Sequence, residues 1–180
     1  MSEMDVTQQL DDLRRAFDQA FAVPPPPPLA ELESLLVIQV DGESFAMRIG
    51  ELVGLETRRK IVALPLDNLA FLGLAGLQGR LVPVYSLAFL LGYTGARTDE
   101  GRWLAVGGAG DPVGLAFTGL KGYIQVDRSA LSALGKAEQG RGHVQGVLRF
   151  ASETCYVLSV PSILAEINRW GNRLDAVKEG

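Results

Sequence analysis

The chain offers few groups for covalent or acid–base chemistry. It has one histidine, His143, and one cysteine, Cys155. A Ser-His-acid site would have to use His143, because the imidazole carries the proton between nucleophile and leaving group. No Gly-x-Ser-x-Gly elbow, which would expose a serine on a tight strand-to-helix turn, accompanies it. His143 follows a loop at the start of a predicted strand and reads as a surface or strand-end imidazole. Cys155 lies beside Tyr156 and Val157 in an apolar run and reads as an inert core thiol. One histidine and one cysteine cannot complete a tetrahedral zinc site. The carboxylate pairs Asp11/Asp12 and Asp99/Glu100 have no surrounding motif and read as solvated charges. Gly107, Gly108 and Gly110 could suggest a phosphate cradle, but no Lys-Ser/Thr follows and no helix opens there, so a β-turn is the better reading. The sequence thus assigns no catalytic residue, no metal and no cofactor.

What remains is binding by contact. Arg58, Arg59 and Lys60 form the one tight basic cluster before the domain's acidic balance resumes, and the net charge is −4. Barrels that bind nucleic acid interleave aromatic residues with Lys and Arg, so a small nucleic-acid-binding barrel stands only as the alternative from another class. At 180 residues one domain is expected, with two small lobes as the variant. Hydrophobic content of 47% and charged content of 21% are ordinary for a globular chain, and 21 glycines suit a fold with many turns. A single cysteine rules out an intramolecular disulfide. The first residues are acidic and polar, unlike a secretory signal, and no uninterrupted apolar run is long enough to span a bilayer. The expectation is a soluble protein with no direct membrane insertion.

Four segments follow from the pattern: 1–23 helical, 24–33 a Pro-rich linker, 34–171 a β domain, and 172–180 a tail. In residues 2–22, Val6, Leu10, Leu13, Phe17 and Ala20 form a narrow apolar seam at helical spacing. That helix is too short to be stable alone and needs a surface. The five prolines at 24–28 take an extended polyproline II form and act as a stiff tether of about 15 Å. From residue 34 the period becomes two. A strand over 34–40 meets one over 43–49 through Asp41-Gly42. In the second, Phe45, Met47 and Ile49 alternate with Ser44, Ala46 and Arg48, which predicts one buried and one wet face.

The chain is organised around residues 73–92. Strands over 74–78 and 81–85 are predicted to meet at Gly79-Arg80, with Arg80 at the turn tip. Pro83 cannot donate to a ladder and predicts an edge or bulged strand. Ser86 caps a short helix over 86–91 that stops at Gly92. Downstream, strands are predicted over 102–107, 113–118, 120–126, 143–150 and 154–160. A closing helix then opens near Pro161 and ends at Gly171. Ten or so short, evenly spaced strands suit antiparallel barrels.

The 73–92 stretch resembles the signature of the CheW-like domain, the adaptor module of bacterial chemotaxis. That pattern runs Gly-x-x-Asn-Leu-Arg-Gly-x-x-x-Pro-Val-x-Asp-Leu, then a short helix ending in Gly. Gly73, Leu77, Gly79, Pro83, Val84, Leu87 and Gly92 match it. Gly76, Gln78 and Ser86 replace its Asn, Arg and Asp. Leu52-Val53-Gly54-Leu55 resembles the family's Val-x-Glu-Val segment, and Val113-Gly114-Leu115 its Val-Gly-Leu. The resemblance implies an all-β fold of two SH3-like five-stranded β-barrels with short helices. It implies a non-catalytic adaptor at membrane-associated receptor arrays in the cytoplasm. One lobe would pack on the regulatory domain of the histidine kinase CheA, and the groove between lobes would take the chemoreceptor's cytoplasmic tip. Carried across, Leu52, Gly54 and Leu55 belong to the groove, and Gln78 and Arg80 to the signature turn. The N-terminal helix and prolines resemble the additions of ParP-like polar-localisation adaptors and imply a further partner.

Overall fold

Turn chemistry places the first hairpin. Asp41 and Gly42 both hold positive φ, 48° and 86°, the two left-handed residues that a type I′ turn requires. They join β1 (Leu32–Val40) to β2 (Glu43–Arg48), with Val40 opposite Glu43. Gln78 and Gly79, at 50° and 78°, do the same between β5 (Phe71–Leu77) and β6 (Arg80–Ser86). The second turn therefore lies one residue earlier than predicted, and Arg80 opens β6 opposite Leu77 instead of standing at the tip. Two consecutive residues must be left-handed; Gly79 supplies one freely, and Gln78 takes the other at some steric cost.

The computed structural model describes residues 31–95, 103–108, 110–134, 141–150 and 153–178; the helix predicted over 2–22 and the proline run lie outside these. The other strands are β3 (Leu52–Thr57), β4 (Ile61–Val62), β7 (Trp103–Gly107), β8 (Val113–Phe117), β9 (Gly119–Asp127), β10 (Leu131–Ser132), β11 (Val144–Phe150) and β12 (Glu153–Leu158). Two helices, α1 (Leu87–Leu90) and α2 (Val160–Lys178), follow β6 and β12. Single 3-10 turns sit at Ile49–Glu51 and Arg128–Ala130.

These strands form two sheets on one plan. Lobe A runs β10-β11-β12-β2-β1-β9, and lobe B runs β4-β5-β6-β8-β7-β3. Each combines a hairpin (β1-β2 or β7-β8) with four further strands (β9 to β12 or β3 to β6), and the one parallel pair of each lobe joins the two parts. The hairpins are exchanged: β1-β2 comes first among the described strands but pairs with β9 and β12, while β7-β8 pairs with β3 and β6.

The equivalence extends to single residues. A bulge at Val53 sets Gly54 opposite Val106, and one at Lys121 sets Gly122 opposite Val37. Gly73 faces Val84 as Gly146 faces Val157, and these valines pair in parallel with Gly114 and Ala46. Counting along the strands from those anchors, Val53 corresponds to Lys121, Arg80 to Glu153, and Pro112 to Ser44.

The expected closed five-stranded barrels are not formed. Each sheet has six strands and two edges with no ladder between them, and one edge strand of each, β4 or β10, is only two residues long. The sheets still curl. Thr57 and Ile61, like Asp127 and Leu131, end strands at opposite edges yet stand four residues apart. Four Cα steps reach at most about 15 Å, whereas the edges of a flat six-stranded sheet lie about 24 Å apart.

Three further expectations are corrected. Pro83 is not on an edge strand: β6 is interior, and Pro83 precedes the start of the β8 ladder at Val84. β2 does not alternate, because Phe45 and Met47 enter one core and Ala46 another, while Ile49 is exposed. α2 does not stop at Gly171 but continues to Lys178, since a helical glycine costs only about 1 kcal/mol. The largest core lies where both lobes and α2 meet, around Phe45, Met47, Leu87, Leu115, Leu158 and Ile163. Each lobe adds a smaller core of its own.

Candidate functional site

At one end of lobe B the β3 bulge, the Gln78-Gly79 turn and the loop before β8 surround a cleft of about 190 Å³. Val53, Gly54, Glu56, Gln78, Arg80 and Pro112 are among its lining residues. Bulging thrusts Val53 outward, leaving it 54% exposed. Glu56 is neutralised by Arg59, whose Nη2 and Nε donate to Oε2 at 2.7 and 3.0 Å. Arg80 donates from Nη2 only to the Gly110 carbonyl, at 3.4 Å, and makes no ion pair among the described residues. Beside it Leu81 is 74% exposed. The cleft therefore presents Arg80, which makes no ion pair among the described residues, beside the exposed Val53 and near Gln78 and the paired Glu56, a setting suited to a carboxylate flanked by apolar side chains.

The corresponding depression in lobe A is wider and shallower and has the opposite chemistry. Gly42, Glu43, Ser44, Lys121, Glu153, Thr154 and Tyr156 line it. Lys121 Nζ donates to Glu153 Oε2 and to Ser44 Oγ, both at 2.8 Å, and Ser44 Oγ donates to Glu153 Oε2 at 3.4 Å. The Lys121 ammonium holds the Glu153 carboxyl below its ordinary range. Next to it, Glu43 accepts from Arg141 and from the Tyr93 hydroxyl, the latter at 2.9 Å, and the Arg141 guanidinium stacks over Tyr156. Donation from Arg141 lowers the Glu43 carboxyl, and burial with the Glu43 bond pushes Tyr93 up to about 12. The charged groups Glu43, Lys121, Arg141 and Glu153 at this end each have an internal partner.

His143 is a strand-end residue as expected, but its side chain is buried, 8% exposed, not on the surface. Nδ1 lies 2.9 Å from Ser162 Oγ, and Nε2 2.7 Å from Glu166 Oε2. Ser162 and Glu166 are one helical turn apart, so the imidazole staples the first turns of α2 to the start of β11. Ser159 caps α2 as Ser86 caps α1. The two clefts described here do not touch this trio. Cys155 is fully buried, and burial raises its thiol to about 11, too high for a nucleophilic thiolate at neutral pH. Among the described residues no three His, Cys, Asp or Glu side chains gather as metal ligands.

Of the residues singled out from sequence, Gly54, Gln78 and Arg80 line the lobe B cleft together. Leu55 is 39% exposed on β3, and Leu52 packs against the central core. Sequence reasoning missed Val53, Lys121 and Glu153. The signal lay in two short echoes, Leu52-Val53-Gly54-Leu55 with Leu120-Lys121-Gly122-Tyr123, and Leu72-Gly73 with Gln145-Gly146, which mark equivalent bulges.

A comparison with curated proteins finds no match. Among solved structures, the scaffolding protein TtCheW from Thermoanaerobacter tengcongensis is similar in fold, with a TM-score of 0.64 at 15% identity, covering 71% of this chain and 89% of that one. Residues 34–168 match the CheW-like domain. That match spans most of the sequence and the described sheets, and the chain belongs to the CheW-like domain family.

Proposed function

We propose that this protein is an adaptor of a chemosensory array that binds the regulatory domain of the histidine kinase CheA through the lobe B cleft and aligns it with a chemoreceptor's cytoplasmic tip. The family is one of non-catalytic scaffolds. The observation that carries the reading is the convergence of Gly54, Gln78 and Arg80 with the exposed Val53 in one cleft. Such a protein works by geometry: holding two partners at once lets the state of one bias the other, a coupling limited by its differential contacts in each state. Calorimetric titration with the CheA regulatory domain and, separately, a receptor-tip fragment tests this. Arg80→Glu should weaken the kinase complex about tenfold or more; Leu52→Asp, at the central core, should act through stability. No binding of either partner by the wild-type chain would overturn the proposal.

The ParP-like variant rests on the apolar seam of residues 2–22 and the prolines after it. In that reading the N-terminal segment recruits a further partner and places the protein at polar arrays. Deleting residues 1–28 should then abolish placement and leave kinase binding intact; loss of kinase binding would count against it.

A further inference from the structure

Lobes A and B have equivalent ends, and a protein with two competent ends can link copies of a partner into rings or filaments, whereas one with a single competent end terminates them. The three positions that define each end carry opposite chemistry here. Lobe B has Val53, Arg80 and Pro112; lobe A has Lys121, Glu153 and Ser44. Val53 is exposed and Arg80 is without an ion pair among the described residues. Their counterparts Lys121 and Glu153 satisfy each other at 2.8 Å, with Ser44 closing the triangle. Lys121 and Glu153 are partly exposed but already committed to each other, so a partner settling on lobe A finds no charge free to pair and must compete with or cover that pair. A partner on lobe B meets an apolar bulge and a guanidinium bonded only to a backbone carbonyl among the described residues.

We propose that the protein is one-ended: a protein surface bearing a carboxylate beside apolar side chains docks on lobe B at Arg80 and Val53, while the Lys121–Glu153–Ser44 triangle removes lobe A as a second docking end. The chain then caps a repeating assembly instead of continuing it. This rests on the adaptor reading for the identity of the partner.

Sedimentation velocity of the full chain with excess CheA regulatory domain, joined to calorimetric titration, tests it. The expected complex holds one partner domain per chain. Arg80→Glu and Val53→Asp should each weaken it about tenfold or more, and Lys121→Ser and Glu153→Ser should change it less than about twofold. Unfolding midpoints check that each variant is folded, with Leu81→Asp replacing any lobe B variant that is not. Two partner domains per chain, or a loss at Lys121 or Glu153 equal to that at Arg80, would overturn one-endedness and leave the adaptor reading standing. If the wild-type chain ignores the domain, the adaptor reading falls, and lobe A is judged by amine acylation read by mass spectrometry. Labelling of Lys121 at least about threefold slower than Lys60 keeps lobe A excluded; equal rates overturn the inference.

Discussion

Lobe A and lobe B are built from the same strand order, the same bulges and the same parallel seam, yet their ends offer a partner opposite surfaces. In lobe A a lysine occupies the bulge and a glutamate opens the last strand; in lobe B those places hold valine and arginine. The backbone plan sets where side chains converge, and three side chains decide whether the convergence is satisfied from within or left for another molecule. Fold alone therefore does not say which end works.

The comparison can be strained hardest at the paired glycines. At Gly73 a Cβ would lie 2.1 Å from the Val62 carbonyl oxygen, and φ is +136°. At Gly146 the nearest atom, the Ser132 carbonyl oxygen, is 3.3 Å away. Gly73→Ala should cost about 4 kcal/mol and Gly146→Ala about 1 kcal/mol, measured by chemical denaturation. Similar costs would mean that the two bulges are not distinct in strain. Next comes the core shared by the lobes. Phe45 is 1% exposed and touches the rings of Tyr93 and Tyr156. Phe45→Ala should cost about 3–4 kcal/mol and lower one common calorimetric transition; two separated transitions would show the lobes to be independent.

Smaller effects belong to the Glu43 cluster of lobe A, which lobe B lacks. Arg141 holds the Glu43 carboxyl below its ordinary 4.5, so the stability it adds is complete above that pH and falls away as pH drops through the lower folded value. Arg141→Ala should flatten the acid limb of a stability–pH curve by lowering stability at neutral pH, with little change once Glu43 is protonated. Tyr93 has the reverse sign. Its neutral phenol is favoured, from 10.0 to about 12, so its contribution is complete below pH 10 and lost as pH rises toward 12. Tyr93→Phe should remove that alkaline loss, and absorbance titration should lack its late phenolate step.

Local chemistry was legible wherever it depended on one residue type. Asp41-Gly42 announced its turn, Ser86 its cap, and Gly92, at φ +91°, the end of α1. Gly73, Gly79 and Pro83 carried the family resemblance. What depended on two distant segments was not legible. The burial of both faces of β2 follows from its place between β1 and β12 and from the two cores on either side. His143 became a staple only because α2 sets Ser162 and Glu166 beside it. Lys121 and Glu153, remote in sequence, meet because the ladders of lobe A bring the β9 bulge beside the start of β12. Of the five candidate contact residues, three line one cleft, and the most exposed apolar lining residue, Val53, was overlooked between two that were named.

The exchanged hairpins impose an order on synthesis. β1 and β2 leave the ribosome first, but their lateral neighbours β9 and β12 are made last, after all of lobe B's strands. Lobe B can assemble on the nascent chain while β1-β2 waits with both flanks bare, so lobe A closes only after β9 and β12 are made. A stop codon between Phe117 and Leu158 would release a chain whose first hairpin has no finished sheet to join, leaving it with an unpaired edge.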